Sequence, residues 1–252
     1  MLYECADVPQ PLIIIPARLR AVRLPDKALA LIAGRPMIAH VVARAIAAGV
    51  GPVVVATDTD AIAAAAEAAG ARVVMTRESH VSGSDRVAEA LSIVDPRERH
   101  DVVVNLQGDE PEIDPVALRA ALMPLDDPAV DIATLAAPLQ PAEIADSSAV
   151  KATGRLVGPA RLHATAFSRA MPPPPTPAWR HVGVYAWRRA ALLRFIALPP
   201  SEREKTERLE QWRGLDAGMR IDAALVEHAP RGVDTPADLA AVRVRFARGD
   251  MA

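Results

Sequence analysis

The chain has 252 residues, 51% of them hydrophobic and 24% charged, with a net charge of −2. That balance can bury a substantial core in one large domain or a domain plus a lobe, and it argues against a general nucleic-acid binder, which carries a basic excess. The single cysteine, Cys5, allows neither an intramolecular disulfide nor a cysteine-rich zinc site, and the acidic opening MLYECADVPQ with no apolar run near the ~20 residues of a membrane span leads us to expect a cytoplasmic protein without a membrane partner.

In chain order, LIII (12–15) reads as a strand buried on both faces. A basic loop, PARLRAVRLPDK, follows. PMIAHVVARAIAAG then has the pattern of a helix, with Pro36 in its first turn and Gly49 as its C-terminal cap. VVVA (53–56) is a second strand, DAIAAAAEAAG a helix from about Asp60 closed by Gly70, and RVVM (72–75) a third strand. SGSDRVAEALSIV is a helix capped by Ser82 or Ser84, and VVVNL (102–106) a fourth strand. Strand alternating with helix predicts a doubly wound α/β sheet with right-handed crossovers.

Beyond residue 130 the rhythm changes. DIATLAAPL reads as a strand, LHATAFSRA is ambiguous between helix and strand, and MPPPPTPAW cannot join a sheet interior or a helix because proline lacks the donor. HVGVYAWRR and RIDAALVEH read as strands, and RRAALLRFIAL, EREKTERLEQWRGLDAG and TPADLAAVRVRFA as helices. The organisation expected is one domain over 1–252 with a smaller lobe over 131–205.

Ligands of open α/β sheets bind beyond the carboxyl ends of the strands. The loop after the first strand supplies Arg18, Arg20, Arg23 and Lys27 against Asp26, a cluster that suits a polyphosphate or is simply a solvated loop. No Gly-x-x-x-x-Gly-Lys-Ser/Thr or Gly-x-Gly-x-x-Gly motif is present in that loop. Asp109 beside Glu110 ends another strand, where a carboxylate can hold magnesium or organise a turn before Pro111. Asp234 precedes a helix with Thr235 as N-cap, Pro236 in first position and Asp238 as capping partner, which on its own reads as structural. Asp58 reads as a cap. His181, Gly183 and Tyr185 share one strand face with an open spot between two polar groups, room for a sugar or for close backbone packing.

IIPARLRAVRLPDKAL, AGRPMIAHV, MTRESHVSGSDRVAE, VVNLQGDEP, FSRA, RHVGVYAWRR, TERLEQWR and GVDTPADL, in order over nearly the whole chain, resemble the 3-deoxy-manno-octulosonate (Kdo) cytidylyltransferase family, also called CMP-Kdo synthetases. The resemblance implies an α/β, Rossmann-like nucleotidyltransferase fold of glycosyltransferase-A-like, three-layer type, with a smaller sugar-binding and dimerisation lobe. It further implies a homodimer that joins CTP and Kdo with the help of magnesium, for lipopolysaccharide synthesis in the cytoplasm. Carried over by motif, Lys27, Arg18 and Asp109 are catalytic. Ala17, Arg18, Arg23, Lys27, Arg77, Ser82 and Gln107 face CTP; Arg169, His181, Tyr185, Glu210 and Gln211 face Kdo; Asp109 and Asp234 hold the metal. Two departures stand out: the family commonly has glycine where Asp26 stands, and a longer segment in place of PPPPTPAW. A related acid sugar, such as 8-amino-Kdo or a sialic acid, or a non-catalytic nucleotide-sensing role are the alternatives.

Overall fold

The computed structural model describes residues 11–19, 24–228 and 232–249. Strand β1 (Leu12–Ala17) is buried along its whole length. A short antiparallel pair, β2 (Leu31–Ile32) and β3 (Arg35–Pro36), leads into helix α1 (Met37–Ala48). Pro36 takes the N-cap position just outside the helix, and Gly49 ends it at φ 65°, a left-handed conformation open to glycine at little cost. Strand β4 (Val53–Thr57), α2 (Asp60–Ala68), β5 (Arg72–Met75), α3 (Gly83–Val94) and β6 (Val102–Leu106) follow within a residue or two of the expected boundaries. Of the two candidate caps for α3, Ser82 is the one used: its hydroxyl accepts from the Asp85 N–H, and the Asp85 carboxylate accepts from the Ser82 N–H.

After the short helix α4 (Pro115–Ala120) come β7 (Ile132–Pro138), β8 (Lys151–Leu156), β9 (Arg161–Ser168), β10 (Trp179–Arg188) and α5 (Arg189–Ala197). Helices α6 (Glu202–Glu207) and α7 (Gln211–Asp216), strand β11 (Ile221–Leu225) and helix α8 (Pro236–Arg248) complete the order. The ambiguous LHATAFSRA is thus strand. The charged run ahead of β11 is split in two at Arg208, which stands at φ 55°.

All the strands except β2 and β3 form one sheet, in the order β5-β4-β1-β6-β10-β7-β11-β9-β8. The doubly wound expectation holds for its first part, where β5, β4, β1 and β6 are parallel. Beyond β6 the sheet is mixed: β10 is antiparallel to both β6 and β7, and β11 is parallel to β7. Residues 131–205 supply β7 to β10 and α5, and their strands belong to this same sheet. Strand β8 pairs with β9 and also touches β10 through Trp179 and Arg180. Its Gly154 lies so close to β9 that a Cβ there would stand 2.0 Å from the His163 carbonyl oxygen.

Alternation along the strands divides the core. Ile13, Ile15 and Val55 pack with α1 on one face, whereas Ile14, Val54 and Val103 pack with Val87 and Leu91 of α3 on the other. Helix, sheet and helix make three layers. A smaller apolar cluster, Ile32, Met37, Val233, Leu239 and Val242, holds the start of α8 against the β2–β3 turn. That packing carries Asp234 across to the loop after β1.

Candidate active site

Lys27 opens a short 3-10 turn directly after Asp26, whose φ of 54° and ψ of 25° are left-handed. Its ammonium donates to Asp109 Oδ2 at 2.5 Å and to Asp234 Oδ1 at 3.0 Å. Burial alone would lower the Lys27 pKa; Asp109 and then Asp234 more than offset that and hold it above its ordinary value. The two acidic loops are also fastened by their backbones, since the Asp109 carbonyl accepts from the Val233 N–H at 2.8 Å. Glycines permit this approach: a Cβ at Gly108 would stand 3.0 Å from the Pro16 carbonyl oxygen, and one at Gly232 would stand 3.1 Å from the Glu110 carboxylate.

Two cavities meet at this acidic pair. The first, about 480 Å³, is lined among others by Ala17, Arg18, Lys27, Ser82, Gln107 and Glu210, together with Asp109 and Asp234. The second, about 370 Å³, is lined by Arg180, His181, Tyr185 and Gln211, and again by Asp109 and Asp234. A smaller chamber of about 240 Å³ joins them, with Gln107 and Glu210 from the first side and Tyr185 and Gln211 from the second.

In the second cavity the polar groups are held in a definite protonation pattern. The Thr134 hydroxyl donates to the Val184 carbonyl at 2.7 Å, so His181 Nε2, 2.9 Å from Thr134 Oγ1, must be the donor there. His181 Nδ1 is then an acceptor facing Gln211 Nε2 at 3.5 Å. Burial first, and Arg180 second, bring the His181 pKa down to about 3, so the ring is neutral near pH 7. Gln211 Nε2 donates to the Tyr185 hydroxyl at 2.7 Å, and burial followed by Glu210 pushes that phenol up. Strand β10 bulges between Val182 and Tyr185 where it runs beside β7, yet His181, Gly183 and Tyr185 still line one cavity. Burial also raises the carboxyl of Glu210, which accepts from the Ser84 hydroxyl at 2.7 Å.

Two expected residues, Arg77 and Arg169, stand apart from this constellation. Arg77 is not among the residues lining the cavities; its exposed side chain and backbone N–H both donate to Glu89. Arg169 spends its guanidinium on the carbonyls of Ser147, Glu207 and Arg208 and does not line the cavities either. Arg23, like Arg20 and Cys5, lies outside the described residues. Asp58 is not the cap of α2, a position taken by Thr59; its carboxylate instead accepts from buried Arg86 at 2.7 Å. The capping set at α8 is as expected, with Thr235 and Asp238 bonded reciprocally, which leaves the Asp234 carboxylate for Lys27.

Sequence reasoning missed Arg86, Arg180 and the character of Glu110. Arg86 lies four residues after Ser82 and one helical turn along α3, a spacing that could have flagged it. Arg180 precedes His181 and pairs with buried Glu143 at 2.5 Å. Glu110 is buried, and burial followed by the Asp109 charge raises its pKa well above the ordinary range. Its Oε2 has no hydrogen-bond partner among the described residues. Asp109 and Asp234 converge on one cation, Lys27, so their geometry fits a shared positive charge. Two carboxylates suit magnesium, which usually keeps several waters and binds substrate phosphates. No cluster of three or more His, Cys, Asp or Glu ligands occurs among the described residues.

Strand-end loops opening on joined cavities, one bordered by a basic loop and both by an acidic pair, define a nucleotidyltransferase of Rossmann-like fold. Residues 12–221 match the family profile described as cytidylyltransferase. The chain is 61% identical over 239 residues to the 3-deoxy-manno-octulosonate cytidylyltransferase of Methylorubrum populi, covering 94% of this chain and 97% of that one. It is 59% identical over 237 residues to the protein of the same name from Rhodopseudomonas palustris, covering 93% and 96%. The chain belongs to the cytidylyltransferase family, in its 3-deoxy-manno-octulosonate branch. The solved structure of CMP:2-keto-3-deoxy-manno-octonic acid synthetase complexed with CTP is similar over 95% of this chain and 99% of that chain, with a TM-score of 0.86 and 41% identity. Apo UDP-glucose pyrophosphorylase, 12% identical with a TM-score of 0.71 and covering 96% of this chain and 99% of that one, shares the fold alone.

Proposed function

We propose that this protein is a magnesium-dependent cytidylyltransferase that joins CTP to Kdo, giving CMP-Kdo and pyrophosphate. The observation that carries the reading is that one acidic pair, with Lys27 between its members, walls both cavities at once. A nucleotide in the first and an acid sugar in the second would meet there. The names of the relatives and of the CTP-bound neighbour support the choice of substrates.

In this reading the anomeric hydroxyl oxygen of Kdo attacks the α-phosphorus, the bond from that phosphorus to the bridging oxygen breaks, and pyrophosphate departs while the hydroxyl proton passes to solvent. Arg18 and Lys27 hold the triphosphate, with Arg23 and Ala17 assigned beside them by motif. Ser82 and Gln107 line the nucleotide side. Lys27 stabilises charge on the departing group. Asp109 and Asp234 would hold magnesium, which when bound neutralises phosphate charge. Neutral His181, Tyr185 and Gln211 orient sugar hydroxyls, and Glu210 stands between the two chambers. Arg77 and Arg169 join their assigned sets only by leaving their present partners. The same reading includes a homodimer built through residues 131–205 and a place in the cytoplasm, where CTP is made, ahead of lipopolysaccharide assembly.

Purified protein supplied with CTP, Kdo and magnesium should release pyrophosphate and form CMP-Kdo, and omission of any one should stop both. Folded protein that forms no CMP-Kdo under these conditions would overturn the reading.

A further inference from the structure

We propose that Lys27 is the resident cation of the Asp109–Asp234 pair in the nucleotide-free protein, so that a divalent metal is admitted only in company with a triphosphate. The inference rests on the assignment of that pair as the metal site and adds an order of binding to it. Both carboxylates reach the same ammonium, at 2.5 and 3.0 Å. The backbones that carry them are held together, which opposes their parting to take a second cation alongside the ammonium. The Val233 N–H to Asp109 carbonyl bond fastens one loop to the other, and buried Val233 is anchored in the cluster that includes Leu239 and Val242 of α8.

Charge makes the exclusion effective. The Lys27 ammonium already offsets charge on both carboxylates, and its own side chain is only 18% exposed. A divalent ion entering alone would face an ammonium already holding the oxygens it needs, and like charges repel more strongly there than in water. A triphosphate alters the balance, because Lys27 and Arg18 border the same cavity and phosphate oxygens offer the ammonium another anion. Lys27 then turns to the nucleotide and releases the pair. One residue thereby serves as counter-ion in the empty site and as phosphate ligand in the loaded one.

The test is direct binding of Mn²⁺ alone, followed by electron paramagnetic resonance or calorimetry with no nucleotide present. Lys27→Met should bind Mn²⁺ at least tenfold more tightly than the wild type, and adding Asp109→Asn to Lys27→Met should abolish the gain. Lys27→Gln provides a second neutral variant should Lys27→Met fail to fold, with thermal unfolding as the check. Folded Lys27 variants that bind Mn²⁺ no more tightly than the wild type would overturn the proposal. So would a gain that survives Asp109→Asn. Either result is obtained without Kdo or turnover, and is therefore distinct from a failure of the cytidylyltransferase reading.

Discussion

The Ser84 hydroxyl donates to the Glu210 carboxylate at 2.7 Å and so links the first turn of α3 to the residue that opens α7. Ser84 is buried, and Glu210 is a carboxyl whose burial disfavours its charged form. Ser84→Ala should lower the unfolding free energy by about 1 kcal/mol, the net worth of one hydrogen bond, because Ser82 still bonds to the half-buried Glu210 carboxyl. Because Glu210 lines the nucleotide cavity and the chamber that joins it to the sugar side, KM for both CTP and Kdo should rise. Denaturant melts and steady-state kinetics check the two halves separately.

Asp109→Asn and Asp234→Asn keep side-chain shape and remove one charge each. Turnover should fall by roughly 10²–10³ in each case, the scale of losing one electrostatic group at a reacting centre. Folding should survive, since Lys27 keeps the other carboxylate as a partner. Pyrophosphate release measured beside a thermal melt separates these outcomes, and unchanged turnover would remove both residues from the metal site.

His181 makes stability depend on pH. Its folded pKa lies near 3, below the ordinary value of 6.5. The unfolded chain takes up a proton on this ring at a pH where the folded chain does not. The stabilisation is therefore full above the unfolded pKa and is lost as pH falls through about 6.5 toward 3. Between about pH 7.5 and pH 5.5 the loss should be about 1.4 kcal/mol. Urea melts of His181→Gln should show a correspondingly shallower decline, and an identical slope would place the ring in a more polar setting.

Asp26 occupies a left-handed conformation that glycine adopts without a Cβ penalty. Asp26→Gly should raise the unfolding free energy, by at most about 1 kcal/mol, because relief of the Cβ clash is opposed by the greater freedom of glycine in the unfolded chain. A thermal melt of the variant that falls below the wild type would mean that the aspartate carboxylate supplies more than its backbone costs.

The parallel part of the sheet was legible because LIII, VVVA, RVVM and VVVNL are apolar at successive positions, as strands covered on both faces must be. Ser82 and Gly49 were legible as helix ends for equally local reasons. Strand β8 was not: KATGRL mixes charge with a glycine whose purpose, close contact with the His163 carbonyl, exists only after β9 is in place. The site divides the same way. Lys27, Asp109 and Asp234 came from motifs, but their meeting at one ammonium depends on how α8 packs. Arg180 carried no local signal, because its meaning lies in a partner 37 residues away. Arg77 and Arg169 show the converse, residues picked out by motif whose guanidinium groups are engaged elsewhere in the fold.

The wall common to the two cavities has a thermodynamic corollary. Whatever occupies one chamber alters the charge felt in the other, so the two substrates are coupled through the aspartates even without touching. Linkage then requires reciprocity: the factor by which bound nucleotide changes the affinity for sugar must equal the factor by which sugar changes the affinity for nucleotide.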